Sequence, residues 1–180
     1  MDEAITRWIN AAAGQNTVLD TLLIAITTVG VPVMVLGVVL QWWSGGNRKH
    51  LRHVSVAAGL AFLGSLALNQ FILLFIHRPR PYGAGVSHLI VAPSADWSFP
   101  SDHATVSFAI AATFALCGEQ KRSAAFLAAA LLVSWSRVFV GLHYVSDVAG
   151  GALIGVGVAF VVSGLYPEGT RWDERLKRFF

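Results

Sequence analysis

The stretch that organises the chain is Val133–Asp147, which reads VSWSRVFVGLHYVSD. It places an arginine, a histidine and a carboxylate in otherwise apolar sequence, with five residues between Arg137 and His143 and three between His143 and Asp147. If the last two share a helical turn, their side chains lie on one face, within hydrogen-bond reach. A carboxylate that holds one imidazole nitrogen leaves the other free and more basic. This arrangement suits a nucleophile or base beside an arginine that holds an anion; the alternative is a purely structural polar pair.

The composition is that of a membrane protein. Of the 180 residues, 55% are hydrophobic and only 13% are charged, and the mean hydropathy is +0.61, whereas soluble domains carry about 25% charged residues. Several apolar runs approach the roughly 20 residues that cross a bilayer. We therefore expect an all-α fold, a polytopic helical bundle forming one domain over residues 1–180, with about five transmembrane helices and an N-terminal interfacial helix.

The apolar runs and the polar breaks between them predict the elements. Asp2–Ala13 carries Ile5, Trp8 and Ile9 at helical spacing but is too short to span, so it is predicted to lie in the membrane interface. The predicted spans are Val18–Trp43, Val54–Ile76, Asp102–Gly118, Ser123–Val140 and Val145–Leu165. The predicted segments outside the spans are the polar loop Ser44–His53 with solvated His50 and His53, the long connection His77–Phe99, and the tail Pro167–Phe180.

The distribution of Lys and Arg orients these spans. The loop Ser44–His53 carries three, the turn Glu119–Arg122 two and the tail Pro167–Phe180 four, which is nine of the 13 in the chain. The positive-inside rule places these three segments on the cytoplasmic side. The remaining Lys/Arg residues fall on the opposite side: Arg7, Arg78, Arg80 and Arg137. Because the net charge of +3 follows from this topology, no nucleic-acid partner is expected.

Three smaller observations bound the class further. The single cysteine, Cys117, lies in an apolar run and cannot form an intramolecular disulfide. The acidic start Met1–Ala4 lacks the basic lead of a secretory signal, so no cleavable signal peptide is expected. The oligomeric state cannot be read from the sequence, because glycine-lined spans pack within one chain as readily as between chains.

Three polar clusters are predicted to meet at the outer face. The first is Arg78-Pro79-Arg80-Pro81 after the second span, the second is Ser101-Asp102-His103 at the start of the third, and the third is Arg137, His143 and Asp147. Titratable residues at the ends of packed membrane helices are costly and usually mark a site. Each cluster also has a structural explanation, such as headgroup binding or a helix cap. Their convergence favours a shared site.

The residue types in these clusters suggest phosphoryl transfer. Arginines offer bidentate donors to phosphate oxygens, and the start of a helix adds free N–H groups and a positive dipole end. His143, oriented by Asp147, is suited to attack phosphorus, and His103 to protonate the departing oxygen and then to activate water. The competing chemistry is zinc bound by both histidines and by Asp147 and Asp102. Because the nearby arginines oppose a cation and the sequence has no HExxH motif, we expect neither a metal nor another cofactor.

At these residues the chain resembles the membrane branch of the type 2 phosphatidic acid phosphatase superfamily. That family has the motifs Lys-x6-Arg-Pro, Pro-Ser-Gly-His and Ser-Arg-x5-His-x3-Asp. The third motif is complete here, as Ser136-Arg137-x5-His143-x3-Asp147, and the second reads Pro100-Ser101-Asp102-His103, with aspartate in place of glycine. The first keeps Arg80-Pro81, but Leu73 stands where the lysine belongs.

The resemblance implies a metal-independent lipid phosphatase that works through a phosphohistidine. The implied catalytic residues are His143 as nucleophile, Asp147 as its orienting carboxylate and His103 as acid and base. The residues implied to hold the phosphate are Arg80, Ser101 and Arg137. We add the hypothesis that Arg78 supplies the charge of the missing lysine. Asp102, in the glycine position, also belongs to the phosphate site and is able to cap the third span.

Within the family, the stretches FPSDHAT (99–105) and HRPRPY (77–82), together with the missing lysine, are most similar to bacterial undecaprenyl diphosphate phosphatases. Those enzymes release phosphate from the spent lipid carrier of cell-wall synthesis. The resemblance implies a multi-pass protein of the bacterial inner membrane, with a lipid phosphate as its partner and an active site that faces outward.

Other functions stay open at this point. Phosphatidylglycerophosphate or phosphatidic acid suits the same residues, and so does a lipid phosphotransferase. The non-enzymatic alternative is a protein that binds anionic lipids or carries phosphate-bearing solutes. The short loops on the predicted cytoplasmic side and the lack of ionisable residues in the middle of a span argue against a transport path.

Overall fold

The computed structural model describes residues 1–179, and every regular element in that range is helical. Phe180, the last residue of the predicted tail, lies outside the described residues. The helices are α1 (Asp2–Asn10), α2 (Thr17–Leu40), α3 (Arg48–Leu73), α4 (Asp102–Leu116), α5 (Gln120–Phe139), α6 (Val145–Leu165) and α7 (Arg171–Phe179). A 3₁₀ turn at Gln41–Trp43 extends α2. The predicted all-α bundle is confirmed.

Four of the described helices are long and apolar enough to cross a membrane: α2 with its extension, α3, α5 and α6. The predicted third span is α4, which has only 15 residues. Its length of about 22 Å is less than the roughly 30 Å of a bilayer core. A short helix suffices here because α4 is central. It packs against α3, α5 and α6, and Ala104, Ala109 and Phe114 on it are fully buried.

The helices α4 and α6 approach each other closely because α6 has glycine where the two cross. A β-carbon on Gly155 would lie 2.1 Å from the carbonyl oxygen of Thr105, and one on Gly151 would lie 2.7 Å from that of Ser101. Small residues permit this separation of helix axes, as is common in membrane bundles. At the same end of the pair, the Ser101 N–H donates to the carbonyl oxygen of Asp147 over 3.2 Å. The crossing thus fixes the distance between two of the predicted clusters.

The predicted loop Ser44–His53 is helical from Arg48 onward. The side chain of Asn47 caps the start of α3 by accepting from the His50 N–H. His53, predicted to be solvated, is only 5% exposed. The helix begins earlier than predicted, and α7 binds His53 in its second turn through Asp173, a contact that the apolar pattern does not reveal. At its other end α3 stops at Leu73, three residues before the predicted end.

The predicted tail contains α7, which docks on the start of α3. Asp173 on α7 is fully buried and accepts hydrogen bonds from Tyr166 over 2.7 Å and from the Gly169 N–H over 2.8 Å. It also lies 3.0 Å from Nδ1 of His53 and 2.7 Å from Nζ of Lys177. A buried carboxylate needs such donors, and they come from segments that only folding brings together.

The first helix lies at the end of the bundle where α5 stops and α6 starts. It ends at Asn10 and not at the predicted Ala13. Ile5 and Trp8 are exposed, whereas Thr6 and Asn10 are buried. Two of its apolar side chains therefore face away from the protein, as in an interfacial helix. The side that faces the protein carries polar groups, and buried polar groups require hydrogen-bond partners.

Candidate active site

The three predicted clusters come together around the imidazole of His143, which is 3% exposed. His143 lies in the connection between α5 and α6. Its Nε2 is 3.3 Å from Nη1 of Arg80, in the segment between α3 and α4, and 3.4 Å from Nη2 of Arg137, in the last turn of α5. Cationic groups from two parts of the chain thus meet at one ring nitrogen.

The connection turns sharply at Gly141, which has a φ of +86°. This left-handed conformation favours glycine and ends helices. A β-carbon here would also lie 2.5 Å from the carbonyl oxygen of His88. The Leu142 N–H donates a hydrogen bond back to the carbonyl oxygen of Arg137 over 3.1 Å. The turn therefore brings His143 back beside the last turn of α5.

The partners of the two ring nitrogens assign the tautomer of His143. Nδ1 lies 2.8 Å from the carbonyl oxygen of Ser98, and carbonyl oxygens only accept. Nε2 faces two guanidinium groups, which only donate. We therefore assign the proton to Nδ1 and the lone pair to Nε2, where it faces the two guanidinium groups. The carboxylate of Asp147 stands 3.8 Å from Nδ1, within ion-pair distance, so the shorter contact belongs to Ser98 and not to the carboxylate expected from the spacing.

His143 is in the neutral state that a nucleophile requires. Burial, together with the positive charges of Arg137 and Arg80, lowers the pKa of His143 from 6.5 to about 4. The ring is consequently uncharged near neutral pH, and the Nε2 lone pair is available for attack.

Asp147 is fully buried and has a complete set of donors. Its Oδ2 accepts from the Ser98 hydroxyl over 2.5 Å and from the Tyr144 N–H over 2.9 Å, and its Oδ1 accepts from Nη1 of Arg78 over 2.6 Å. Ser98 therefore joins the two catalytic candidates, because its hydroxyl binds the carboxylate and its carbonyl oxygen binds the imidazole of His143. Asp147 is in a position to orient His143 through Ser98.

The two arginines beside Nε2 are held by neutral acceptors. Arg80 donates to the carbonyl oxygens of Asp96 over 2.8 Å and Leu142 over 3.0 Å. Arg137 donates to the hydroxyl of Thr27 over 3.0 Å. These acceptors fix the guanidinium groups without neutralising them. Both groups thus keep their charge for an anion.

Two further donors in this region have no partner within residues 1–179. They are Nε of Arg137 and the hydroxyl of Ser101, and both are buried. A buried donor without a partner is costly, and such donors beside two arginines are what a phosphate site requires. Ser101 is the N-cap residue of α4, but its side chain makes no capping hydrogen bond there.

His103, from the second predicted cluster, lies near the residues of the other two. It lies in the first turn of α4, close enough to Arg137, His143 and Arg80 for their charges to act on it. Two imidazoles and two guanidinium groups therefore share one region, as the sequence predicts.

Asp102 is held by α3 and does not cap its own helix. Its Oδ1 accepts from Nδ2 of Asn69 over 2.7 Å, and the same amide donates to the Thr105 hydroxyl over 2.9 Å. The N-cap position belongs to Ser101. The charge of Asp102 nevertheless acts on both Arg80 and Arg137.

Arg78 has partners other than the phosphate site. Nη1 donates to the Ser146 hydroxyl and to Asp147, both over 2.6 Å, and Nη2 donates to Asp2 over 2.7 Å. Its guanidinium carbon also lies 3.9 Å from the centre of the Tyr144 ring. A guanidinium that already binds two carboxylates is not free to replace the missing lysine. These contacts favour a role of Arg78 at the two carboxylates over the phosphate role hypothesised from the sequence.

Sequence reasoning missed several residues of this region, among them Asp2, Thr27, Asn69, Ser98 and Ser146. Ser98 lies just before the second motif but matches no motif position. The signal for Asp2 was present, because Asp2, Thr6 and Asn10 recur every four residues and so form one polar side of α1.

No three His, Cys, Asp or Glu side chains within residues 1–179 lie together as ligands of a metal ion. The two histidines of the site instead lie near arginines. The residues weighed as alternative zinc ligands therefore lie in a region suited to an anion.

Comparisons with known proteins show the family of the chain. The PAP2 superfamily model matches residues 54–171. The chain is 32% identical over 161 residues to undecaprenyl-diphosphatase BcrC of Bacillus subtilis, and the matched region covers 89% of this chain and 82% of the relative. It is 30% identical over 130 residues to phosphatidylglycerophosphatase B of the same species, and this match covers 67% of this chain and 58% of the relative.

A solved structure has a similar fold. The crystal structure of a transmembrane PAP2 type phosphatidylglycerolphosphate phosphatase from Bacillus subtilis superimposes with a TM-score of 0.68 at 25% identity. The match covers 95% of this chain and 87% of that one. The likeness therefore extends well beyond the segment that carries the motifs.

Proposed function

The chain belongs to the PAP2 superfamily and is a lipid phosphatase, and from this premise we propose that it hydrolyses undecaprenyl diphosphate to undecaprenyl phosphate through a phosphohistidine on His143. The observation that carries the proposal is the surrounding of Nε2, which has guanidinium nitrogens of Arg80 and Arg137 at 3.3 and 3.4 Å. A neutral imidazole between two cations is suited to attack an anionic phosphorus centre.

The first half of the reaction forms the phosphoenzyme. The Nε2 lone pair attacks the terminal phosphorus, a P–N bond forms, and the P–O bond to the bridging oxygen breaks. The departing lipid phosphate takes a proton from His103, which requires that residue to start as the imidazolium. Arg80, Arg137 and the Ser101 hydroxyl bind the phosphoryl oxygens as charge develops on them.

The second half returns the enzyme to its starting state. His103, now neutral, takes a proton from water, and the water oxygen attacks phosphorus. The P–N bond breaks, inorganic phosphate leaves, and Nε2 recovers its lone pair. The sum consumes one water per phosphate released. The arginines supply the positive charge that a metal ion provides in other phosphatases, so the mechanism uses none.

The substrate is the part of the proposal that rests on relatives. The 32% identity with an undecaprenyl-diphosphatase extends over 89% of this chain. A second candidate substrate is phosphatidylglycerophosphate, since a relative of that name matches 67% of the chain. Transfer of the phosphoryl group to another lipid would use the same first half of the reaction. In the second half, a hydroxyl group of that lipid would attack phosphorus in place of water. As the chain is an enzyme, lipid binding without turnover is set aside.

The orientation of the site is also proposed, on the basis of charge. Arg48, Lys49 and Arg52 lie at the end of α3 that contacts α7, whereas His143 and α1 lie at the other end of the bundle. Basic residues favour the cytoplasmic side. The site end then faces outward, and in a bacterial inner membrane it meets lipids of the outer leaflet.

The test is phosphate release by purified protein in detergent with excess EDTA. Undecaprenyl diphosphate, phosphatidylglycerophosphate and phosphatidic acid are offered side by side. We expect release that survives EDTA, is fastest with the diphosphate and falls by orders of magnitude in His143→Ala. His77→Ala is the matched control, because His77 is exposed at the same end of the molecule. Release that EDTA abolishes, or full turnover in His143→Ala, contradicts the mechanism.

The intermediate and the orientation have separate tests. Acid and alkaline quenching of the reaction with terminally labelled substrate should reveal a label on the protein that is stable in base, labile in acid and absent from His143→Ala. For orientation, Ala95→Cys at the site end and Gly45→Cys at the other end are compared in a Cys117→Ser background. In intact cells a membrane-impermeant maleimide should label only the first; labelling of only the second would reverse the orientation.

A further inference from the structure

The protein-facing side of α1 binds the backbone at the start of α6, where Asp147 lies. The first N–H groups of any helix lack acceptors within that helix. Here the Val145 N–H donates to Thr6 over 3.2 Å and the Ser146 N–H to Asp2 over 3.0 Å. The first two residues of α6 are therefore capped by side chains from the other end of the sequence.

The same side of α1 holds the end of α5. Nδ2 of Asn10 donates to the carbonyl oxygen of Phe139 over 2.7 Å, the last residue of α5, and to that of His88 over 2.9 Å. Its Oδ1 accepts from the His88 N–H over 2.7 Å. Asn10 therefore binds the end of α5, while Asp2 and Thr6 bind the start of α6. Together they hold both ends of the connection that carries His143.

Asp2 also reaches the buried carboxylate of the site. Its Oδ2 accepts from Nη2 of Arg78 over 2.7 Å and from the Ser146 hydroxyl over 2.5 Å, and Nη1 of Arg78 in turn donates to Asp147 over 2.6 Å. Asp2 and Asp147 thus share Arg78, and Ser146 joins Asp2 to the same arginine, because its hydroxyl accepts from Nη1 of Arg78. This chain of charge-assisted contacts ends at the residue that orients His143 through Ser98.

We infer that α1 is a positioning element of the active site, in which Asp2 acts through Arg78 to hold Asp147, and that Arg78 positions this carboxylate and does not bind phosphate. The inference rests on the proposed role of His143 as nucleophile. Two exposed side chains of α1, Ile5 and Trp8, fit the membrane interface. The helix that lies at the membrane surface therefore also sets the geometry of catalysis.

The test compares Asp2→Ala with Glu3→Ala. Glu3 is an exposed carboxylate in the same first turn of α1, so the two variants lose the same charge from the same helix. We expect Asp2→Ala to lower kcat by roughly tenfold or more, because small displacements of catalytic groups are that costly, with KM within about twofold of wild type. Glu3→Ala should leave both values unchanged. A loss that falls entirely on KM would overturn the positioning role.

A double-mutant comparison tests whether Asp2 acts through Arg78. If it does, Asp2→Ala combined with Arg78→Gln should be no slower than Arg78→Gln alone, because coupled residues are not additive. Independent effects would multiply. Multiplication of the two losses would therefore contradict the inference.

Amide hydrogen exchange gives a readout that does not depend on turnover. We expect the Ser146 amide to exchange faster in Asp2→Ala, and the Val145 amide to exchange faster in Thr6→Val, which keeps the volume and removes the acceptor. Unchanged exchange would overturn the capping contacts, and faster exchange with wild-type kcat would overturn the positioning role. These results are distinct from failure of the proposed function, which His143→Ala tests. If the proposed function were wrong, the Val145 and Ser146 amides would still be bound to α1.

Discussion

The carbonyl oxygen of Ser98 accepts a hydrogen bond from Nδ1 of His143 over 2.8 Å, while the hydroxyl of the same serine donates to Asp147 over 2.5 Å. Backbone and side chain of one residue therefore stand between the imidazole and the carboxylate. The carbonyl fixes the tautomer of His143, and the carboxylate fixes Ser98. A substitution at Ser98 removes only the second contact.

We expect Ser98→Ala to lower kcat by about tenfold. Removing a donor to a buried carboxylate costs about 1.5–3 kcal/mol, but the carbonyl oxygen still holds Nδ1. The loss should be smaller than that in His143→Ala. Steady-state phosphate release measures it, with Ser94→Ala as the control, since Ser94 contacts Tyr82 through its backbone in the same loop. Equal losses in Ser98→Ala and His143→Ala would show that the hydroxyl, and not the carbonyl, keeps the imidazole in place.

The pH dependence should reflect the lowered pKa of His143. Burial and the charges of Arg137 and Arg80 lower this pKa to about 4, from an ordinary value of 6.5. The neutral, nucleophilic form of this ring therefore persists as the pH falls through 6.5 and is lost only as it falls through about 4. The measurement is kcat/KM against pH, with the titration of the substrate phosphate divided out. A loss of the His143 nucleophile with an apparent pKa near 6.5 would contradict the assigned environment.

The crossing of α4 and α6 predicts different effects at two neighbouring glycines. A methyl group at Gly155 would lie 2.1 Å from the carbonyl oxygen of Thr105, whereas Gly157 has no neighbour within 4 Å. Overpacking typically costs about 1–3 kcal/mol, so Gly155→Ala should lower the melting temperature in detergent and reduce turnover. Gly157→Ala should be neutral or slightly stabilising, because alanine favours helix. Equal melting temperatures of the two variants would refute the close approach of the helices.

Acid should release α7 from the bundle. Burial tends to raise the pKa of Asp173, but donors led by Lys177 and the Gly169 N–H outweigh it and hold this pKa well below its ordinary value of 3.8. A carboxylate with a lowered pKa stabilises the folded state above its unfolded pKa, and the contribution is lost as the pH falls toward the folded value. Amide exchange across residues 171–177 should therefore rise below about pH 4.

The matched variants for this prediction are Asp173→Asn and Glu174→Gln. Glu174 is exposed on the same helix, so its substitution should leave the exchange of α7 close to wild type at neutral pH. Asp173→Asn should raise it by about tenfold or more, since hydrogen bonds to a buried charge are lost. Docking that is unaffected by Asp173→Asn would mean that apolar contacts alone hold α7.

The sequence by itself determined the class of the fold and the members of the site's three clusters. Apolar runs of bilayer length predict the spans, because a membrane helix must satisfy its backbone internally and present apolar side chains. The third motif places Arg137, His143 and Asp147 at fixed spacing, and the distribution of Lys and Arg predicts that the clusters share one face. These signals are local or compositional, so they can be read without coordinates.

Only the tertiary structure decided which groups bind one another. The partner of Nδ1 in His143 is 45 residues away in the chain, and the acceptor for the Ser146 N–H is 144 residues away. No periodicity encodes such pairs, because they depend on how helices cross and where a loop returns. For the same reason the sequence did not reveal the contact between Arg78 and Asp147 or the docked helix in the predicted tail. Residue types settle which chemistry is available, and the packing of α1, α4 and α6 settles which atoms carry it out.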